Sequence, residues 1–235
     1  MIRSSMTSTN PSPAALFDLD GTLVDTYDAH FQAWRETCAP HGVDVNLERF
    51  SRSFGRTNPP IIRDLWKDCG LAEPEESLMT EIADEKERRF RELLDSAFLP
   101  MPGGVQLIRN LHDAQWSIGI GTSAPQANLD QGVQGLGIGD IVGATSCGDE
   151  VRHGKPDPEV FLLCAQRLGA SPEQCVVIED APAGVDAAKN AGMASIGLAS
   201  KGRTRAELSH ADLVIDSLEE LDPDTFTRIL QRSSS

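Results

Sequence analysis

The sequence predicts an α/β protein with a doubly wound parallel sheet that is interrupted after its first strand by an all-helical segment. From residue 102 onward, short apolar runs alternate with amphipathic helical stretches, whereas residues 47–99 show charged helical patterns and no convincing strand. Continuous apolar strands that alternate with helices indicate a parallel sheet covered on both faces. We therefore expect an α/β core domain of residues 14–24 and 102–232, and a helical domain of residues 25–101.

The first predicted strand is Ala14-Ala15-Leu16-Phe17, an apolar run that stops at Asp18. After a tight turn, apolar side chains recur at helical spacing from Tyr27 to Cys38, which predicts an amphipathic helix ending near Pro40. Further strands are predicted at residues 117–121, 141–144, 175–178, 194–198 and 212–215, and further helices near residues 127–136, 158–168 and 183–191.

Composition restricts the partners and the compartment. The formal net charge is −15, which disfavours DNA, RNA and anionic membranes because they attract basic surfaces. Five cysteines without CxxC spacing indicate free thiols in a reducing compartment. We expect a cytoplasmic monomer or weak oligomer. Residues 1–13, rich in Ser, Thr, Asn and Pro, are expected to be a disordered leader, and the charged residues 84–89 to be a solvated helix face.

Four polar clusters stand where predicted strands end or a helix begins. In open parallel sheets, ligands bind outside the carboxyl ends of the strands, so these clusters should converge on one crevice. They are Asp18-Leu19-Asp20-Gly21-Thr22, Gly121-Thr122-Ser123, Gly154-Lys155-Pro156-Asp157-Pro158 and Glu179-Asp180.

These residue types fit phosphoryl transfer through a covalent intermediate. A carboxylate such as Asp18 can attack a phosphoryl group and form an aspartyl-phosphate. An anionic substrate among several acids requires cations, and the carboxylates of Asp18, Asp180 and Glu179 suit Mg²⁺. Lys155 would add a positive charge against the phosphate. The hydroxyl of Thr122 and neighbouring backbone N–H groups would hold phosphate oxygens.

Asp20, two residues after the candidate nucleophile, is available for proton transfer. It would protonate the leaving alkoxide and then activate the water that attacks the aspartyl-phosphate. Gly21 would permit the turn that directs both acids into the crevice, and Thr22 would orient Asp20. Ser123 is a further candidate for phosphate binding.

Together these clusters resemble the haloacid dehalogenase superfamily of phosphotransferases, in the branch with a helical cap inserted after the first strand. The resemblance covers roughly residues 16–200 and is carried by Asp18-Leu19-Asp20-Gly21-Thr22, Thr122, Lys155-Pro156 and Glu179-Asp180. It implies a Rossmann-like core, the residue roles given above, and a Mg²⁺ ligand from the backbone carbonyl of Asp20. We expect this cap to open and close over the crevice.

Residues 25–34 are similar to the subgroup of β-phosphoglucomutases and sugar phosphatases, in which a histidine, here His30, lies at the cap hinge. Arg56 falls where this subgroup places a substrate-reading loop, so it is a candidate for binding an anionic or hydroxylated group of the substrate. The mutases carry an arginine three residues after the glycine of this loop, where this chain has Asn58.

The sequence therefore predicts a Mg²⁺-dependent phosphatase for a small phosphorylated metabolite, with a sugar phosphate as the leading substrate class. A β-phosphoglucomutase-type mutase is the alternative, although Pro125 and Gln126 depart from the polar pair of the mutases. A haloacid dehalogenase would lack the second aspartate, so Asp20 argues against it. A non-catalytic binding protein on this scaffold would be expected to have lost a nucleophile or metal ligand, and none is missing.

Overall fold

A computed structural model describes residues 12–233 of the chain. Its helices and strands, in chain order, are β1 (Ala14–Phe17), α1 (Tyr27–Cys38), α2 (Leu47–Ser53), α3 (Asn58–Asp68), α4 (Glu76–Ser96), α5 (Gly104–Asp113), β2 (Ser117–Gly121), α6 (Gln126–Leu136), β3 (Ala144–Ser146), α7 (Glu159–Leu168), β4 (Cys175–Glu179), α8 (Pro182–Asn190), β5 (Ala194–Leu198), β6 (Leu213–Ile215) and α9 (Pro223–Ser233).

All six strands form one parallel sheet in the order β3-β2-β1-β4-β5-β6, so the predicted fold class is confirmed. Strands β1, β4 and β5 are buried throughout. Successive side chains of β1 enter different clusters of apolar residues, since Ala15 and Phe17 belong to one and Ala14 and Leu16 to the other. Alternation of this kind means that helices cover both faces of the sheet.

One strand differs from its prediction. The apolar residues 141–144 were expected to form it, but β3 begins only at Ala144. Ile141 and Val142 lie instead in a turn, in which both backbone N–H groups donate to the Ile138 carbonyl. Their side chains still pack against the core, so hydrophobicity alone could not distinguish a buried turn from a strand.

Helices α1–α4 surround an apolar cluster of their own, which includes Trp34, Phe50, Ile62 and Ile82. The chain enters and leaves this helical segment at one place. The Asp25 N–H donates to the Leu99 carbonyl at 2.9 Å, and the Met101 N–H donates to the Leu23 carbonyl at 2.9 Å. We propose that residues 25–101 are the cap domain, because these two crossings join it to the core.

The predicted leader, residues 1–13, lies outside the described residues except for Ser12 and Pro13. Within residues 12–233, none of the helices combines the length and the hydrophobicity that crossing a membrane would require.

Candidate active site

The polar clusters that follow β1, β2 and β4 meet at one edge of the sheet. These strands are adjacent, and Phe17 of β1 stands level with Ile120 of β2 and Ile178 of β4. The next residues in each strand therefore emerge side by side. The Asp18 N–H continues this ladder by donating to the Ile178 carbonyl at 3.0 Å. The register of the sheet thus places the nucleophile candidate between the other two clusters.

Lys155 reaches the same point from the loop before α7. Its Nζ lies 2.5 Å from Asp18 Oδ1 and 2.6 Å from Glu179 Oε1, and it donates to the Gly121 carbonyl at 3.2 Å. Burial opposes the charge on this amine, but Asp18 and Glu179 outweigh burial and raise the pKa of Lys155. The buried ammonium therefore stays charged and ties the ends of β1, β2 and β4 together.

Three buried carboxylates cluster at this point, and two of them contact the ammonium. Ligand oxygens of Asp18, Glu179 and Asp180 all lie within 4.8 Å of one another. Burial is the main reason that the pKa of Asp18 is raised well above its usual value, and Lys155 opposes the rise. Burial and the neighbouring Glu179 raise the pKa of Asp180 to about 7. Like charges held this close favour either a proton or a cation between them.

The oxygen donors fit Mg²⁺. Asp180 Oδ2 accepts a hydrogen bond from Ser200 Oγ at 2.9 Å, whereas Asp180 Oδ1 is buried without a hydrogen-bond partner in the described part of the chain. In Glu179, by contrast, both carboxylate oxygens are already hydrogen-bonded. Oε1 accepts from Lys155 Nζ, and Oε2 accepts from the Ala181 N–H at 2.8 Å. Asp180 and Asp18 are thus better placed than Glu179 to bind Mg²⁺ through their side chains. Glu179 mainly holds Lys155 in position.

Two glycines make room for these acids. Gly21 has φ of +80°, and a Cβ there would overlap the carboxylate of Asp180. A Cβ on Gly184 would overlap the carboxylate of Glu179. Larger residues at either position would therefore displace a candidate ligand.

In metal-free buffer containing EDTA, the free energy of unfolding should fall as the pH rises from about 4 to about 7. The ordinary pKa of Asp180 is 3.8 and its folded value is about 7. The folded protein therefore holds a proton that the unfolded chain releases. This stability is present below the ordinary pKa and is lost as the pH rises through the folded pKa. Mg²⁺ should restore it, since the metal replaces the proton. Urea unfolding at about pH 5 and pH 8, with and without Mg²⁺, measures both effects.

The Asp180→Asn variant is the control for this measurement. It should show a weaker pH dependence in EDTA and a smaller gain from Mg²⁺, because the amide neither titrates in this range nor binds the metal as well. A wild-type stability that responds neither to pH nor to Mg²⁺ would contradict a cation site among these acids.

Asp20 lies on the cap side of the site and contacts His30. Asp20 Oδ1 is 3.2 Å from His30 Nε2, and the imidazole stacks on Phe90 with ring centroids 3.8 Å apart. Burial disfavours the Asp20 carboxylate, but His30, Thr26 and Lys86 together outweigh burial and lower the pKa of Asp20. Burial, together with the positive charge of Lys86, lowers the pKa of His30. His30 therefore orients Asp20, which it can do as a neutral hydrogen-bond donor.

The predicted phosphate ligands lie beside the acids. Thr122 is buried, and its Oγ1 accepts from the Ala124 N–H at 3.1 Å, which shapes the loop after β2. Ser123 Oγ is buried and has no hydrogen-bond partner among residues 12–233. Both residues line a narrow cavity of about 40 Å³ together with Asp18 and Asp20.

The cap residues also reach this cavity. Arg56 and Asn58 line it, but each is already paired. Arg56 lies 2.8 Å from Asp64, and the Asn58 amide donates to Glu87 Oε1 at 2.9 Å. The structure therefore brings together every site residue predicted from the sequence. Most of their side chains, however, are paired with other groups of the protein.

The interpretation of residues 84–89 as a solvated helix face was wrong for two of its members. Lys86 and Glu87 are 2 % and 6 % exposed and line the cavity. They follow Ile82 and precede Phe90 at helical spacing, on the stripe of α4 that faces the core. The helical spacing could have predicted that these two residues are buried. Their charge argued for exposure, because Lys and Glu are rarely buried.

Comparison with known proteins agrees with this geometry. The haloacid dehalogenase-like hydrolase family matches residues 13–192. The chain is 33 % identical over 181 residues to the fructose-1-phosphate phosphatase YqaB of Escherichia coli, covering 77 % of this chain and 93 % of that protein. It is 32 % identical over 183 residues to a phosphorylated carbohydrates phosphatase of Thermotoga maritima, covering 78 % and 83 %. The crystal structure of a β-phosphoglucomutase from Clostridium difficile superposes with a TM-score of 0.86 at 27 % identity, covering 94 % and 98 %.

Proposed function

The chain belongs to the haloacid dehalogenase-like hydrolase family and is a phosphatase of that family. We propose that it is a Mg²⁺-dependent enzyme that hydrolyses a sugar monophosphate through an aspartyl-phosphate. The observation that carries the proposal is the buried Lys155, whose ammonium contacts Asp18 at 2.5 Å and Glu179 at 2.6 Å. A lysine held between two buried acids beside a cavity is suited to hold the nucleophile in place and to offset part of the negative charge of the site.

The reaction would begin at Asp18. A carboxylate oxygen of Asp18 attacks phosphorus, the bond to the sugar oxygen breaks, and the leaving alkoxide takes a proton. Water then attacks the aspartyl-phosphate, releases inorganic phosphate and regenerates the carboxylate. Asp18, Asp180, the Asp20 backbone carbonyl and, less directly, Glu179 would hold Mg²⁺. When bound, Mg²⁺ would offset the repulsion between the carboxylates and the phosphate.

Lys155 and the loop after β2 would position the transferred group. The ammonium of Lys155 stands next to the nucleophile and supplies a fixed positive charge. The unpartnered hydroxyl of Ser123 is available to donate to a phosphate oxygen. Thr122 keeps the loop in shape through its bond to the Ala124 N–H and lines the same cavity.

Asp20 would move the protons. His30 holds its carboxylate in place, and the lowered pKa of Asp20 suits the step in which it takes a proton from the attacking water. In the first step, Asp20 must instead be in its protonated form and delivers that proton to the leaving alkoxide. The proton that it takes from the attacking water in the second step then restores this form. Closure of the cap would supply the exclusion of water that both steps need.

The test is a panel of phosphorylated sugars and sugar alcohols, assayed with Mg²⁺ for released phosphate and for isomerised sugar phosphate. We expect phosphate release without a sugar bisphosphate activator. The alternative is a mutase, which the likeness to the β-phosphoglucomutase structure favours. Conversion of β-glucose 1-phosphate to glucose 6-phosphate, with little free phosphate, would show that the alternative is correct.

We also propose that the enzyme acts in the cytoplasm as a monomer or weak oligomer, with no nucleic acid or membrane as partner. The net charge of −15 supports the last point. The five cysteines are all free thiols, which suits a reducing compartment.

A further inference from the structure

The cap side of the catalytic cavity contains a buried ion pair. Lys86 Nζ lies 2.7 Å from Glu87 Oε1, and both residues line the cavity that also contains Asp18. The Lys86 ammonium additionally lies over the rings of Trp34, at 5.1 Å, and Phe90, at 5.4 Å. Its charge is therefore neutralised by a carboxylate and surrounded by aromatic faces, which leaves little attraction for a second anion.

The other cation on this side is also paired. Arg56 lines the cavity, and its NH1 lies 2.8 Å from Asp64 Oδ2. Among the described residues that line this cavity, each cationic side chain contributed by the helical segment thus has a carboxylate partner. A second phosphate would have to displace one of these carboxylates in order to gain a positive partner.

An outer cleft of about 600 Å³ shares Asn58, Glu87 and Ser123 with the cavity, and acidic side chains outnumber basic ones along it. Three acidic side chains line this cleft against two basic ones. Glu87 lines both the cavity and the cleft, so its carboxylate stands where the two spaces meet. The acidic residues are Asp84, Glu87 and Asp149, and the basic residues are Arg91 and Arg152.

Glu87 is held in place from three directions. Besides Lys86, Asn58 of α3 donates to Oε1 at 2.9 Å and Asn128 of α6 donates to Oε2 at 2.6 Å. Burial opposes its ionisation, but Lys86 and the other partners lower the pKa of Glu87 to about 2. The carboxylate is therefore negative at neutral pH, and rotating it away from the cavity would break hydrogen bonds to both the cap and the core.

We propose that Glu87 makes this site selective for monophosphates whose far end carries neutral hydroxyl groups, and that it excludes sugar bisphosphates. This inference rests on the proposed phosphatase function. Hydroxyl groups can donate to the carboxylate and to the amide oxygens beside it. A second phosphate in the cavity would instead meet a fixed like charge, and both cap cations that line the cavity, Arg56 and Lys86, already have carboxylate partners. Such a repulsive element discriminates between otherwise similar substrates.

The experiment compares kcat/KM for two matched pairs of substrates, from initial rates of phosphate release. The pairs are glucose 6-phosphate with glucose 1,6-bisphosphate and fructose 1-phosphate with fructose 1,6-bisphosphate. The wild type should prefer the better monophosphate to its bisphosphate by about tenfold or more. Glu87→Gln should reduce that preference by about tenfold, since it removes the repulsion and frees Lys86. The ratio is informative because a general loss of folded enzyme lowers both rates equally.

Two further variants complete the design. Asp64→Asn changes an exposed residue, frees Arg56 and should reduce the preference for the monophosphate about threefold. This variant tests the inference if Glu87→Gln does not fold. Glu85→Gln, an exposed neighbour paired with Arg88, removes the same charge outside the cavity and should leave the preference unchanged.

Two results overturn the inference while leaving the phosphatase function intact. One is equal wild-type kcat/KM for both members of each pair, and the other is a preference that neither Glu87→Gln nor Asp64→Asn changes. Release of no phosphate from either monophosphate overturns the proposed function, and the inference with it.

Discussion

Replacement of Asp18 by asparagine is expected to lower kcat for sugar monophosphate hydrolysis by on the order of 10³-fold or more, because the amide cannot form the covalent intermediate. The Asp18 carboxylate is buried in contact with Lys155 at 2.5 Å, and asparagine keeps its shape. The variant should be at least as stable as the wild type in EDTA, because one of three clustered acids becomes neutral. Steady-state rates and urea unfolding measure the two effects.

Two controls separate the covalent mechanism from a general loss of activity. Asp113→Asn, on a side chain that is 85 % exposed, should change neither kcat nor stability. Rapid acid quenching of the wild type during turnover should yield protein heavier by one phosphoryl group, located by peptide mass spectrometry at Asp18. Turnover by Asp18→Asn at the wild-type rate would refute Asp18 as the nucleophile.

Replacement of Lys155 by methionine is expected to destabilise the protein by about 3–5 kcal/mol, the usual cost of leaving buried charges without their partner. Lys155 is 5 % exposed and neutralises both Asp18 and Glu179. The same change should lower kcat by about 10²-fold or more, because a fixed positive charge beside the transferred phosphate is lost. Urea unfolding in EDTA and steady-state kinetics at saturating Mg²⁺ measure the two losses.

Lys201→Met is the matched control, since Lys201 also forms an ion pair at 2.5 Å, with Asp28, but its side chain is 51 % exposed. Exposed pairs contribute about 0–1 kcal/mol, so this variant should remain near the wild type in stability. If Lys155→Met and Lys201→Met were equally mild, the buried ion pair would not organise the site as we describe.

The positions of the catalytic candidates could be predicted because they depend on local features. Asp18, Thr122 and Glu179 stand at or directly after the ends of short apolar runs, and parallel strands in register bring such ends to one edge. Lys155 was predicted from its Gly-Lys-Pro setting and from the chemistry that the acids require. The beginning of β3 was less predictable, since the apolar residues before Ala144 pack equally well in a turn.

The partners of these residues could not be predicted. Asp18 and Lys155 are 137 positions apart in the chain, and nothing in either segment indicates which carboxylate oxygen the lysine will contact. The same holds for Glu87, whose amide partners belong to α3 and α6. The contacts of Glu87 depend on the packing of α4 against α3 and α6, and the contact of Lys155 depends on where the loop before α7 meets the end of β1. Both are properties of the whole fold.

By itself, the sequence determined the sheet, the helical insertion and the set of residues at the mouth of the sheet, because periodicity and strand ends are encoded within a few residues. Only the tertiary structure decided that Glu179 holds Lys155, that Asp180 keeps an unpartnered oxygen, and that Lys86 and Glu87 are buried. Whether a charged side chain is solvated or enclosed depends on the surfaces packed around it, and these come from distant parts of the chain.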